Sequence, residues 1–335
     1  MKKRIGIFLL MLAVALNSSA VASTKEATVM DKPQSLLVLG DSIADGYMDR
    51  PGGYMASARE ACYGTLIAQS LGLTGEEYHN NAVSGWRTVE LLQNIEEKTS
   101  GISAPDLVAI SIGGNDVMWS LQQDSTIKYD MNELLADPDS AETKDLVARI
   151  EKEQANLSER ESYKNAIAQA VSNIEDIFDY LLQQFPDTHI VIQTVYNPLD
   201  ANEKLCIRLP VIENLNAAIR QSAAAYPQVT VLDVFEGFRA KGDTYISSDF
   251  IHPNETGHAA IAAMYEQLWT RAKGDVDGNR EITASDALLV LQAATQKLAL
   301  REDALAAADI NANGQADAGD ALQILQFATQ KIAAF

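Results

Sequence analysis

The sequence predicts a three-layer α/β/α sandwich around a mostly parallel five-stranded sheet, followed by a small all-α domain. Three observations carry this. Apolar runs alternate with amphipathic stretches between Ser35 and Thr270, the polar motifs fall just past the ends of those runs, and the C-terminal residues repeat themselves at an offset of 34.

Strands are expected at Ser35 to Leu39, Glu77 to Asn81, Leu107 to Ile112, His189 to Tyr196 and Val229 to Val234. Several are continuous apolar runs, as strands covered on both faces require. Helices are expected at Tyr63 to Leu71, Thr88 to Glu97, Tyr163 to Phe185, Val211 to Tyr226 and Glu255 to Arg271, where apolar residues recur at helical spacing. The polar stretch from Val117 to Ser162 breaks the rhythm and reads either as a helical cap over the strand ends or as a surface insertion.

Residues 1–22 read as a removed secretory signal: Lys2-Lys3-Arg4, an apolar stretch from Ile5 to Leu16, and small residues at Ala20-Val21-Ala22. That stretch is short for a bilayer span and no second one follows, so no stable membrane insertion is expected. A formal net charge of -20 repels phosphate backbones, which argues against nucleic acid as a partner. Cys62 and Cys206 are either one disulfide of an exported protein or two buried thiols. The organisation expected is signal 1–22, an N-terminal segment 23–34, the α/β domain 35–270, a short joint 271–274 and the repeat domain 275–335.

The chemistry lies in Gly40-Asp41-Ser42 and Asp249-Phe250-Ile251-His252. A serine just past a buried strand, with a histidine and an aspartate three residues apart on a later loop, is how a hydroxyl is made nucleophilic. An ester hydrolase is the first reading. Asp41 and Asp116 are expected to accept backbone hydrogen bonds in tight turns. Trp86 and Trp119, close to the site in sequence, either stack on a sugar ring or pack into the fold.

In the repeat, Asp275, Asp277, Asn279 and Asp286 occupy positions 1, 3, 5 and 12 of a twelve-residue loop, and Asp309, Asn311, Asn313 and Asp320 repeat them. Hard oxygen ligands at these offsets wrap calcium, so two structural Ca2+ sites are expected, with no catalytic cofactor. Gly314 supplies the sharp turn at position 6 of the second loop, where the first has Arg280. No helix is expected ahead of either loop.

The duplicated loop and helix resemble a type I dockerin, the module that attaches a secreted enzyme to a cohesin of a cellulosome scaffoldin. The resemblance places partner recognition at Ala284-Ser285 and Ala318-Gly319. Four blocks of the larger segment, Gly40-Asp41-Ser42, Asn81-Ala82-Val83-Ser84-Gly85, Gly113-Gly114-Asn115-Asp116 and Asp249 to Asn254, resemble the SGNH/GDSL hydrolase family and its flavodoxin-like sandwich. That resemblance implies Ser42 as nucleophile, His252 as base and then acid, and Asp249 as its orienting carboxylate. It places the oxyanion hole at the Ser42 and Gly85 N–H groups and the Asn115 amide. Tyr63-Gly64, Tyr196-Asn197-Pro198 and Asn214-Leu215-Asn216 look like its secreted lysophospholipase-like branch.

Together the two resemblances imply an extracellular, cellulosome-associated esterase acting on ester-bearing polysaccharide, with O-acetyl groups the leading substrate. A lipase-like esterase and a catalytically silent docked module are the rivals. A wide apolar groove under the cap is the sign that would favour the lipase-like esterase.

Overall fold

The apolar run after Ser35 becomes β1 (Leu36–Gly40), buried along its whole length as an inner strand of the sheet. The computed structural model describes residues 29–123, 140–199 and 208–335. β2 (Tyr47–Arg50) and β3 (Tyr54–Ser57) form a separate antiparallel hairpin. The main sheet adds β4 (Tyr78–Asn80), β5 (Leu107–Ser111), β6 (His189–Gln193) and β7 (Val229–Leu232). Its order is β4-β1-β5-β6-β7, and every pairing is parallel.

Side chains alternate across the strands, so each strand feeds two cores. Leu37, Leu39, Val108, Ile110, Ile190 and Ile192 face one helical layer: Thr88–Gln93, Ile95–Thr99, Ala141–Ser158, Glu161–Gln184 and Pro210–Ala223. Leu36, Val38, Leu107, Ala109 and Val191 face the other, built chiefly from helices Tyr63–Leu71 and Glu255–Glu266. The strand order reverses between β1 and β5, and at such a switch point the loops leaving neighbouring strands diverge and open a crevice.

Three details depart from the sequence reading. The hairpin was not expected. The helix expected over Thr88 to Glu97 is two, because Asn94 leaves helical geometry at φ −111° and ψ 8°. The stretch from Val117 to Ser162 supplies most of helix Gly114–Gln123 and all of helix Ala141–Ser158. Leu146, Ile150 and Leu157 of the latter are buried in the core, so this helix is part of a covering layer rather than a surface insertion. Residues 124–139 of that stretch lie outside the described residues. Cys62 is a buried free thiol, while Cys206 and the signal segment also lie outside them.

A second unit comprises Val29 and Arg271–Phe335 among the described residues. Helices Ala284–Ala294 and Ala318–Ala328 pack through Ala287, Val290, Ala321 and Ile324. A helix does precede the second loop. Glu302–Ala308 runs directly into Asp309, and its alanines Ala304 and Ala308 are small enough to sit in the same core.

Candidate active site

Glycine is obligatory at the end of β1. Gly40 has a φ of 133°, and a Cβ there would lie 1.9 Å from the Ser111 carbonyl oxygen on β5. The close approach lets the Asp41 N–H donate to that oxygen at 2.9 Å and turns the chain into the short helix Ser42–Asp45. Asp41 caps it, accepting from the Ile43 N–H at 3.0 Å, and burial pushes its carboxyl up to about 7.

His252 comes to Ser42 from the far end of the domain. Its Nε2 lies 2.9 Å from Ser42 Oγ, and its Nδ1 lies 2.5 Å from Asp249 Oδ2. Asp249 Oδ1 accepts the Ile251 and His252 N–H groups, both at 3.0 Å, which requires the intervening Phe250 to take a φ of 60°. Burial raises the Asp249 carboxyl, but the His252 ring and the two backbone N–H groups outweigh it and hold the group below its ordinary value. An ionised carboxylate only accepts, so Nδ1 carries the proton and Nε2 is free to accept from the Ser42 hydroxyl.

The unexpected hairpin braces this loop. Ser248 donates its N–H and hydroxyl to the two Asp49 carboxylate oxygens at 2.7 and 2.6 Å. The Tyr47 ring meets the His252 ring edge-on at 4.9 Å, and the Tyr196 hydroxyl donates to the Ile251 carbonyl.

Of the other three groups, Asn115 lines the same cavity as Ser42 and His252, and Gly85 does not. The Ser42 and Gly85 N–H groups donate to no acceptor among the described residues, and Gly85 takes a φ of 85°. Asn115 Nδ2 gives one hydrogen to the Trp86 carbonyl at 2.9 Å, leaving its second available. The Gly85 loop is clamped from behind. Arg59 donates to the Asn80 and Ala82 carbonyls at 3.0 and 2.8 Å and to Asp45 at 2.6 Å, and Asp45 in turn accepts from Ser84 Oγ at 2.7 Å. Asp116 ties this loop to the Asn115 helix by accepting from the Thr88 N–H and hydroxyl at 3.0 and 2.7 Å.

A model of the GDSL-like Lipase/Acylhydrolase family matches residues 38–260, more than half of the chain. The chain belongs to that family. A model of the Dockerin type I domain matches residues 273–327. Among curated proteins, the GDSL chain is 24% identical over 268 residues to the uncharacterized protein YpmR of Bacillus subtilis strain 168, covering 78% of this chain and 91% of YpmR. It is 22% identical over 207 residues to the spore germination lipase LipC of Bacillus licheniformis, covering 59% and 78%. Among solved structures it is similar to Axe2, an acetylxylan esterase from Geobacillus stearothermophilus, at 20% identity and a TM-score of 0.44, covering 72% of this chain and 98% of that one.

In the GDSL domain a cavity of about 300 Å3 opens beside Ser42, Asn115 and His252. Its walls are mainly apolar, with Val117, Met118, Val195, Pro198, Leu209 and Ile212 prominent. Neither tryptophan lines it. Lys98 lies over the Trp86 ring at 5.1 Å and Arg87 over the Trp119 ring at 4.7 Å, so both indoles stack on cations of the protein itself. What Trp86 gives the site is its backbone carbonyl, which holds Asn115.

In the dockerin domain, donors of the first loop come together. Asp275, Asp277 and Asp286 bring carboxylate oxygens within 4.8 Å of one another, a donor set that fits a hard cation. Asp286 accepts from the Val276 and Asp277 N–H groups, and Asp320 repeats this with Ile310 and Asn311. The second loop has carboxamides, Asn311 and Asn313, at the middle positions, and so less negative charge. Arg280 takes the left-handed φ of 68° that Gly314 takes at 85°. Type I dockerin domains bind calcium, and these residues are the ones that would hold it. Ala284, Ser285, Ala318 and Gly319 are all exposed in the first turns of the two equivalent helices. No helix among the described residues is long and apolar enough to cross a membrane.

Proposed function

We propose that the chain is a serine ester hydrolase with Ser42 as nucleophile, His252 as general base and acid, and Asp249 as the group that orients His252. The observation that carries this reading is the continuous relay from Asp249 Oδ2 through His252 to Ser42 Oγ, at 2.5 and 2.9 Å. Ser42 Oγ attacks the ester carbonyl carbon as its proton passes to Nε2. The negative charge that develops on the carbonyl oxygen is met by the Ser42 and Gly85 N–H groups and the Asn115 amide. His252 then protonates the departing alkoxide, leaving an acyl group on Ser42, and a water activated by the same nitrogen releases the acid.

In this reading residues 1–22 are removed on export, the hydrolase domain occupies 35–270, and the dockerin domain, 275–335, binds two calcium ions and docks to a cohesin. Exposed Leu288 and Leu322, equivalent in the two repeats, extend the faces begun by Ala284-Ser285 and Ala318-Gly319. A cohesin-docked enzyme works beside glycanases, so its substrate is an ester substituent of cell-wall polysaccharide, acetyl being the smallest. The apolar cavity favours a second reading, a lipase-like esterase. An inactive docked module is disfavoured by the intact relay. Acetate release by the mature protein from acetylated xylan, mannan and pectin tests the proposal. Release that is absent in Ser42→Ala supports it, and hydrolysis of long-chain lipid esters alone moves the protein to the second reading.

A further inference from the structure

The hairpin of β2 and β3 lies outside the relay, yet it is joined to both halves of it. At one end it is fixed to the nucleophile helix. The chain leaves that helix through Gly46, Ser57 Oγ donates to the Asp45 carbonyl at 2.8 Å, and the Ala58 N–H donates to the Gly46 carbonyl at 2.8 Å. Met48 is fully buried and seats β2 on the domain, while Tyr47 and Asp49, one residue to either side, point the other way. That face meets the loop carrying Asp249 and His252. Asp49 accepts the Ser248 N–H and hydroxyl at 2.7 and 2.6 Å, its own N–H donates to Ser247 Oγ at 3.3 Å, and the Tyr47 ring lies edge-on to the His252 ring.

The loop needs a hold from outside. Its own bonds close it into a turn: the Ser247 N–H donates to the His252 carbonyl at 2.7 Å, the Phe250 N–H donates to the Ser247 carbonyl at 3.0 Å, and Asp249 accepts from Ile251 and His252. Those bonds fix the shape of the turn and the pairing of Asp249 with His252. They do not set how far His252 lies from Ser42, a partner 210 positions away in the chain. Tyr196 also grips the turn, but from the segment after β6. The hairpin grips it from the segment that bears the nucleophile. Resting on the serine-hydrolase reading, we infer that Asp49 is a positioning residue for the general base, and that the hairpin is the strut that holds His252 at hydrogen-bonding distance from Ser42.

The test is steady-state hydrolysis of nitrophenyl acetate by the purified full-length protein and three variants, with melting temperatures measured alongside. A reacting group misplaced by about 1 Å can cost about 10²-fold, so Asp49→Ala is expected to lower kcat by about tenfold or more with little change in KM. Asp49→Asn keeps both contacts, because its Oδ1 accepts the Ser248 N–H and its Nδ2 donates to the Ser248 hydroxyl, which accepts as readily as it donates. It is expected to recover most of the lost kcat, which a role resting on the charge of Asp49 would not allow. Ser248→Ala removes only the hydroxyl contact, at an exposed position, and is expected to give a smaller loss of the same kind. That variant decides the matter where Asp49→Ala does not fold. Wild-type kcat in Ser248→Ala and in folded Asp49→Ala overturns the strut while leaving the serine-hydrolase reading standing, and so does an Asp49→Asn protein as slow as Asp49→Ala. A wild-type protein inactive on nitrophenyl esters overturns both.

Discussion

Asp249 and His252 are joined twice, by a ring-to-carboxylate hydrogen bond of 2.5 Å and by a backbone N–H to carboxylate bond of 3.0 Å. The second bond fixes the carboxylate and the first fixes the ring, so the imidazole reaches Ser42 already oriented. Asp249→Asn keeps the size but can present an N–H to Nδ1 and select the wrong tautomer. Turnover of a nitrophenyl ester is expected to fall about 10³- to 10⁴-fold with little change in KM, read from steady-state kinetics.

The Arg59 clamp sets the position of Gly85 without touching substrate. Arg59→Met releases the Asn80 and Ala82 carbonyls and leaves the largely buried Asp45 carboxylate without its cation. Since complete loss of one oxyanion donor costs about 10²–10³ in turnover, displacing one is expected to lower kcat by about tenfold. KM is expected to change little, and Arg59→Lys to restore part of the loss. A loss confined to thermal stability contradicts the positioning role.

How far the sequence reveals this site depends on what each residue contacts. Ser42 and His252 are legible because they follow strand and loop signals with catalytic residue types at recognisable spacing. Arg59 is not, because its partners are mostly backbone carbonyls, which leave no trace in residue type. The hairpin is also hidden. Its strands are four residues each with mixed burial, and Pro51-Gly52-Gly53 was the only turn signal between them. Trp86 and Trp119 leave two readings open in the sequence, stacking on a sugar ring or packing into the fold, because the cations over their rings, Lys98 and Arg87, are set by the fold and not by spacing. The helix Glu302–Ala308 was missed because its buried face is alanine, a weak hydrophobic signal.

Stability should depend on pH through His258, whose Nδ1 accepts from the Tyr63 N–H at 3.3 Å inside the core. Burial, and then the charge of His252, lower it from 6.5 to about 3. Between those values the unfolded chain binds a proton that the folded chain does not, so stability falls as pH falls from about 6.5 toward 3. Buried Asp41, raised from 3.8 to about 7, acts in the opposite sense, losing stability as pH rises through that range. The His258 contribution is therefore expected in the difference between wild type and His258→Asn, whose unfolding free energies in urea should converge as pH drops from 6.5 to 4.

Calcium removal is expected to affect the two units unequally. Chelation should unfold the dockerin domain, where the carboxylates of Asp275, Asp277 and Asp286 otherwise face one another, and leave ester turnover unchanged. Calorimetry with Asp275→Ala and Asp309→Ala separates the loops, and each is expected to remove one of two binding events.

The most direct test of the central claim is mass spectrometry of the full-length protein after reaction with a fluorophosphonate, beside its ester turnover and that of Ser42→Ala. A single stoichiometric adduct on the peptide containing Ser42, with adduct and turnover both lost in the variant and its melting temperature unchanged, is the result expected. Labelling elsewhere, or turnover that survives in the purified Ser42→Ala protein, contradicts the assignment of Ser42 as the nucleophile.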